Sequence, residues 1–314
     1  MEDKDAELLR NQRRRRKRIG RIKSAVMMTI YGWIILSVVL ILLLFVRTTS
    51  LERKFDLLIE NRAAGTEVPE DTGETSEGTR MPAETYAAAP ASGIADADNL
   101  AVEGDIHKVY LTFDGGPSEN TGEILDILAA HDVKATFFVV GKEDEESQEI
   151  YRRIVAEGHT LGMRSYSNKY SVIYQSEEAF ASDYRKLRDY LYQVTGTESL
   201  YYRFPGGSSN QISNVPMREL IGFLNERGII YYDWNVSAGD AASTAYTSDE
   251  IVANVTGDVV KYKTSVVLLQ DAVDKSATVE ALGSLIEALR GMDAEILPID
   301  EDTQAIQYVK ADGI

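Results

Sequence analysis

Five short polar segments, each directly behind an apolar run, carry the side chains with chemical potential. They are Thr112-Phe113-Asp114-Gly115-Gly116-Pro117, the stretch Gly158–Asn168 containing Arg164, and Arg203-Phe204-Pro205-Gly206-Gly207-Ser208. The other two are Asp233-Trp234-Asn235-Val236 with Gly239-Asp240, and Leu268-Leu269-Gln270-Asp271-Ala272. Carboxylates such as Asp114 can accept protons, and guanidiniums such as Arg164 and Arg203 can pair with them or donate to hydroxyl-rich ligands. The chain has no cysteine, so a thiolate nucleophile, a Cys-bound zinc and a disulfide framework are all excluded. Its three histidines, His107, His131 and His159, show no ligand-pair spacing on a helix or hairpin. His159 reads as a loop hydrogen-bonder and His131 as a helix-end residue. Asp240 and Asp271 permit a carboxylate site for a hard cation.

Alternating elements must position these segments. Lys108–Phe113, Ala135–Val140, Leu200–Phe204, Ile229–Tyr232, Ser265–Leu269 and Glu295–Pro298 read as short strands. Between them lie helical patterns, such as Phe180, Tyr184, Leu187, Leu191 and Val194 spaced by four, three, four and three. Ser176 is expected to cap that helix, Pro216 to open another that closes near Gly228, and Ser248 to cap the one bearing Ile251 and Val255. Buried strands alternating with amphipathic helices imply an α/β fold with a parallel sheet, open or closed into a barrel, the barrel being preferred. Either arrangement places the polar segments together at the carboxyl ends of the strands.

In this order the five segments resemble the motifs of the polysaccharide deacetylases, the carbohydrate esterase family four with its NodB homology domain, over about residues 105–300. The resemblance implies an irregular (β/α) barrel that removes acetyl groups from chitin-like glycans, peptidoglycan or xylan with one divalent metal, usually zinc. It further implies an Asp base followed by an Asp metal ligand, two His ligands four residues apart, an Arg that orients the base, a supporting Asp-Trp, and a His acid. At the matching positions this sequence has Asp114 as base, Gly115 for the metal carboxylate, Arg164 and Asn168 for the imidazoles, and Gln270 for the acid. Arg203, Pro205, Gly207, Asp233 and Trp234 match the pattern. Gly115 has no ligand atom, Arg164 stays protonated, and Gln270 cannot transfer a proton near neutral pH.

The expected metal is therefore none, and Arg164 is expected to fill the vacated metal volume and pair with Asp114. Arg164, Asn168, Arg203, Pro205, Gly207, Asp233 and Trp234 become candidate substrate contacts. For Arg203 and Asp233 the competing role is loop fixing, and for Trp234 core packing. Tyr166, Tyr170, Tyr174, Tyr201 and Tyr202 divide in the same way between a glycan platform and half-buried structure. The expected function is a catalytically degenerate glycan-binding or scaffold protein of the cell envelope. The alternative is an active hydrolase removing acetyl groups from cell-wall glycan with a rearranged site.

The ends of the chain differ in charge. Residues 1–24 form a basic tail, and residues 25–46 carry no charge at all. At 1.5 Å per residue the uncharged run spans roughly 33 Å, enough for a bilayer core. With the basic cluster before it, this reads as a signal anchor with the N-terminus cytoplasmic and the rest extracellular. Taking the +6 of residues 1–46 from the total of −17 leaves −23 for residues 47–314, which argues against nucleic acid as a partner. Residues 47–63 read as a helical stalk too short to argue a coiled coil, so the oligomeric state stays open. Residues 64–104 read as a disordered linker and 105–314 as the deacetylase-like domain.

Overall fold

The computed structural model of the chain describes residues 97–102, 106–241 and 246–310. The basic tail, the uncharged span, the stalk and most of the linker lie outside the described residues. Among the described residues no helix is long and apolar enough to cross a membrane.

Eight strands form one parallel sheet: β1 (Lys108–Asp114), β2 (Thr136–Val140), β3 (Thr160–Ser165), β4 (Tyr201–Tyr202), β5 (Ile230–Tyr231), β6 (Val236–Ser237), β7 (Thr264–Gln270) and β8 (Glu295–Ile296). The intervening helices are α1 (Thr121–Ala130), α2 (Glu145–Ala156), α3 (Tyr170–Ile173), α4 (Glu177–Thr195), α5 (Met217–Asn225), α6 (Ser248–Val259) and α7 (Ser276–Gly291). The spatial order is β5-β4-β3-β2-β1-β7-β6, with β8 beside the start of β1. β1 is central, and its six residues from Val109 to Asp114 are all buried. Val109, Leu111 and Phe113 face the main core, while Tyr110 joins Phe138, Trp234 and Leu268 on the other side of the sheet. That alternation is the period of two expected of a strand covered on both faces.

The sheet is not a ring closed by strand pairing, because β5 and β6 are its two ends. Only four residues, Tyr232–Asn235, separate them in sequence, too few for a crossover helix. The C-terminal segment lies at this opening instead. The Asp233 amide donates to the Ile306 carbonyl at 2.7 Å, and the Gln307 side chain donates to the Tyr231 carbonyl at 3.0 Å. The architecture is thus a parallel half-barrel, where the sequence pattern alone favoured a full barrel.

Local signals explain several element ends. The Ser176 hydroxyl accepts from the Ala179 amide at 3.1 Å, and Gly196 in the left-handed region stops α4. At α6 the cap is Thr247, not Ser248; Thr247 and Glu250 satisfy each other's backbone amides in a capping box. Residues 97–102, assigned by composition to the linker, are docked on the domain. Asn99 is buried, exchanging hydrogen bonds of 2.8 Å with the Thr264 carbonyl and amide, and Leu100 bridges to Tyr262.

Candidate functional site

The carboxyl ends of β1, β3 and β7 converge, and the register places Asp114 opposite Gln270. Asp114 ends β1 with a side chain 6% exposed. One oxygen accepts from Nη1 of Arg203 at 2.8 Å, and the other lies 3.5 Å from Nε of Arg164. A single carboxylate is therefore held between two guanidiniums.

Arg203 is 0% exposed, which demands full pairing of its donors. Its Nη1 also donates to the Thr112 hydroxyl at 2.6 Å, Nε to the Tyr232 carbonyl at 3.0 Å, and Nη2 to the Asp233 carbonyl at 3.1 Å. The guanidinium lies 4.1 Å from the Phe138 ring centroid, a stacking arrangement that stabilises a desolvated cation. Arg203 is thus a strut joining β1 to the β5–β6 connection, with no face left for a ligand.

Asp233 and Trp234 belong to the same strut. The Asp233 carboxylate accepts from the Ser208 amide and hydroxyl at 2.7 and 2.5 Å and from the Tyr308 amide at 2.7 Å. Burial pushes its acidity down, raising the pKa against the opposing pull of those donors and Arg203. Gly207 has φ +83°, and a Cβ there would come within 3.2 Å of that carboxylate, so only glycine fits comfortably. Pro205 contributes its carbonyl, which accepts from the Tyr174 hydroxyl at 2.7 Å. Trp234 is 2% exposed and packs edge-on against Tyr308, which makes it core rather than a sugar platform. Tyr174 and Tyr202 are likewise buried, whereas Tyr166, Tyr170 and Tyr201 keep partial exposure.

The rim of the cleft is different. Arg164 has a side chain 13% exposed, and its Nη1 donates to the Asn168 side-chain oxygen. Asn168 stands in the left-handed region at φ +53°, which Asn tolerates better than most residues. Gly115 follows Asp114 at φ +96°, outside the range L side chains readily adopt. Gln270 donates its backbone amide to Asp240 at 2.8 Å.

Two further carboxylates, Asp240 and Asp271, lie near this rim and are bonded within the domain. The second Asp240 contact comes from the Thr278 hydroxyl at 2.8 Å, while its Oδ1 is buried without a hydrogen-bond partner. Burial raises the Asp240 pKa to about 6. Both oxygens of Asp271 are taken by the hydroxyls of Ser118 and Thr121, and burial raises that carboxyl too. A hard-cation site built from Asp240 and Asp271 is not assembled. The histidines are elsewhere: Nδ1 of His159 accepts from the Ala135 amide at 3.1 Å, and His107 donates to the Tyr262 carbonyl at 2.9 Å.

The comparisons with known proteins bear on the family and the fold. The family profile described as polysaccharide deacetylase matches residues 101–220. The catalytic domain of a peptidoglycan N-acetylglucosamine deacetylase from Eubacterium rectale is 35% identical; the superposition covers 67% of this chain and 95% of that one with a TM-score of 0.62. The chain belongs to the polysaccharide deacetylase family. A putative polysaccharide deacetylase of Bacillus subtilis, YheN, is 32% identical over 58% of this chain and 63% of its own length, so the match leaves over a third of that relative uncovered. A pseudoenzyme of the same esterase family from Bacillus anthracis shares the fold at 22% identity and a TM-score of 0.53, over 62% of this chain and 64% of that one.

The donor set does not fit the divalent metal of the family. Gly115 has no side-chain donor, Arg164 brings a fixed positive charge, and the Asn168 oxygen is occupied by Arg164. Asp114 is the one anionic donor left at those positions, already shared by two guanidiniums. Among the described residues no group of three or more His, Cys, Asp or Glu is arranged to hold a metal. Residue order alone missed Thr112, Ser208, Tyr308 and Thr278 as partners in the site. Thr112 stands in the first motif and was open to inference; Tyr308 and Thr278 carry no periodic or motif signal.

Proposed function

We propose that this polysaccharide deacetylase-family protein binds cell-envelope glycan without hydrolysing it, from an extracytoplasmic domain anchored through residues 25–46. The observation that carries the reading is the Arg164 guanidinium at a ligand position, 3.5 Å from the carboxylate at the base position. A fixed cation there neutralises Asp114 as a divalent ion would. It cannot carry a water ligand, and its charge sits beside the carboxylate that would otherwise take the water's proton. The acid position adds to this, since the Gln270 amide has no proton to give to a leaving amine. The glycan itself is inferred from relatives such as the Eubacterium rectale enzyme, named for peptidoglycan N-acetylglucosamine.

One observation favours a rearranged hydrolase. Asp240, beside Gln270, has a carboxyl raised to about 6, in the range useful for an acid. Its 4% exposure weighs against contact with a glycan. The deciding experiment incubates the full-length protein in detergent with acetylated chito-oligomers and with peptidoglycan, with zinc added, and measures acetate and retention of sugar. Retention without acetate is expected. Acetate release abolished by Asp114→Asn would overturn the reading. For the topology, protease added outside intact cells is expected to remove the C-terminal domain; complete protection would contradict an extracytoplasmic placement.

A further inference from the structure

From Phe204 to Met217 the chain runs fourteen residues without a charged side chain, the longest such run outside residues 25–46. In an exterior with a net −23 this neutrality stands out, and the part of the run from Ser208 to Met217 lines a cleft of about 440 Å³. That volume lies within the usual range for small-ligand sites. One wall is built from Asn210, Gln211, Ser213 and Asn214, and Met217 and Val309 supply apolar surface.

The loop is pre-formed rather than loose. The Asn210 amide nitrogen donates to the Gly207 carbonyl at 2.8 Å, and its oxygen accepts from the Ile212 and Ser213 amides at 3.2 Å each. The Asn214 backbone amide donates to the Tyr174 carbonyl at 3.0 Å. Gln211 and Asn214 themselves are exposed; the Gln211 amide nitrogen donates to the Ser209 carbonyl at 3.0 Å, which leaves its side-chain oxygen and the Asn214 amide available to a ligand. Primary amides offer both donor and acceptor, which suits a ligand of alternating hydroxyls and carbonyls, and the apolar surface suits a pyranose face. No lining side chain would recognise a phosphate, carboxylate or metal ion by charge.

The chain leading into this loop passes close to the segment that follows the Arg164 rim. A Cβ on Gly206 would meet the Tyr170 ring at 3.2 Å, and Tyr170 opens α3, two residues after Asn168. We propose that the Ser208–Met217 loop is a second saccharide subsite, for an uncharged sugar unit of the glycan that also reaches the Arg164–Asp114 cleft. This rests on the glycan-binding reading above and names where part of that ligand is held.

The test uses the full-length protein with N-acetylated chitotetraose as probe. Affinity is measured for the unsubstituted protein and for a Gln211→Ala/Asn214→Ala variant, with hydroxyl-radical footprinting of Met217. The expected results are protection of Met217 and an affinity about tenfold weaker in the variant with an unchanged melting temperature. Unchanged affinity in the variant with Met217 unprotected overturns this subsite while leaving glycan binding intact. Absence of chitotetraose binding by the unsubstituted protein overturns the subsite and the reading beneath it together.

Discussion

The floor and the rim of the cleft are made from the same strand ends, yet they differ in what their side chains are bonded to. On the floor, Arg203, Thr112 and Asp233 are 0% exposed and spend their hydrogen bonds within the domain. On the rim, Gly115, Arg164, Asn168 and Gln270 are the positions that would meet a metal or a leaving group. By the motif resemblance, the floor keeps the residue types expected of the family and the rim does not. A residue whose partners are other buried groups cannot change without leaving them unpaired, whereas on the proposed reading a ligand-facing residue is under no such constraint. The contrast separates what the half-barrel requires from what acetyl transfer to water would require.

Several substitutions bear on that contrast. The largest effect is expected on the floor. Arg203→Leu leaves Asp114 and two backbone carbonyls without their donor, and breaking such a buried pair costs on the order of 3–5 kcal/mol, or roughly 10 °C in melting temperature. A loss no greater than that of a surface substitution would show that the floor is not the fold's support.

Asp240 should give the next largest effect, and one that depends on pH. Its folded pKa of about 6 lies above the ordinary 3.8, so the folded protein holds a proton that the unfolded chain releases. Stability from this group is full below the unfolded value and is lost as pH rises through 6, by on the order of 2–3 kcal/mol. His159 works in the opposite sense. Burial lowers its pKa from 6.5 to about 4, so its contribution is present above 6.5 and is lost as pH falls toward 4. The two slopes oppose one another in the same window. Urea melts of Asp240→Asn should therefore show a steeper loss on acidification than the unsubstituted protein; parallel curves would contradict the assignment.

Rim substitutions should cost less. Gly115→Asp restores a carboxylate but places a side chain at φ +96°, an expected penalty of about 1–2 kcal/mol in chemical denaturation. A neutral result would mean the loop relaxes easily and that the donor was lost without a backbone obstacle. Arg164→Ala should cost only about 1 kcal/mol, because Arg203 still pairs with Asp114. A cost equal to that of Arg203→Leu would erase the distinction between floor and rim.

Much of this arrangement was legible in the residues themselves. The apolar strand run Lys108–Phe113, the Phe180 to Leu191 stripe and the Ser176 cap each follow from short-range physics, and each corresponds to an element found here. The pairing of Arg164 with Asp114 was accessible because both occupy motif positions whose roles constrain their distance. The exposure of Asp233 and Trp234 was not, because a motif records which residue is present and not which way it faces. The open sheet was equally hidden: its gap is occupied by residues 305–309, which have no strand or helix pattern and act through single hydrogen bonds across more than seventy positions. Asp240 could be seen near the cleft, but the hydrogen bond that fixes its Oδ2 comes from Thr278, the third residue of a helix whose start no capping residue marks.

The central claim is that a guanidinium stands where the family places a divalent ion. Calorimetric titration of the purified full-length protein with micromolar zinc tests it most directly. No stoichiometric binding is expected, and the melting temperature should be the same with zinc as with chelator. A one-to-one zinc complex that raises the melting temperature and disappears in Asp114→Asn would contradict the account.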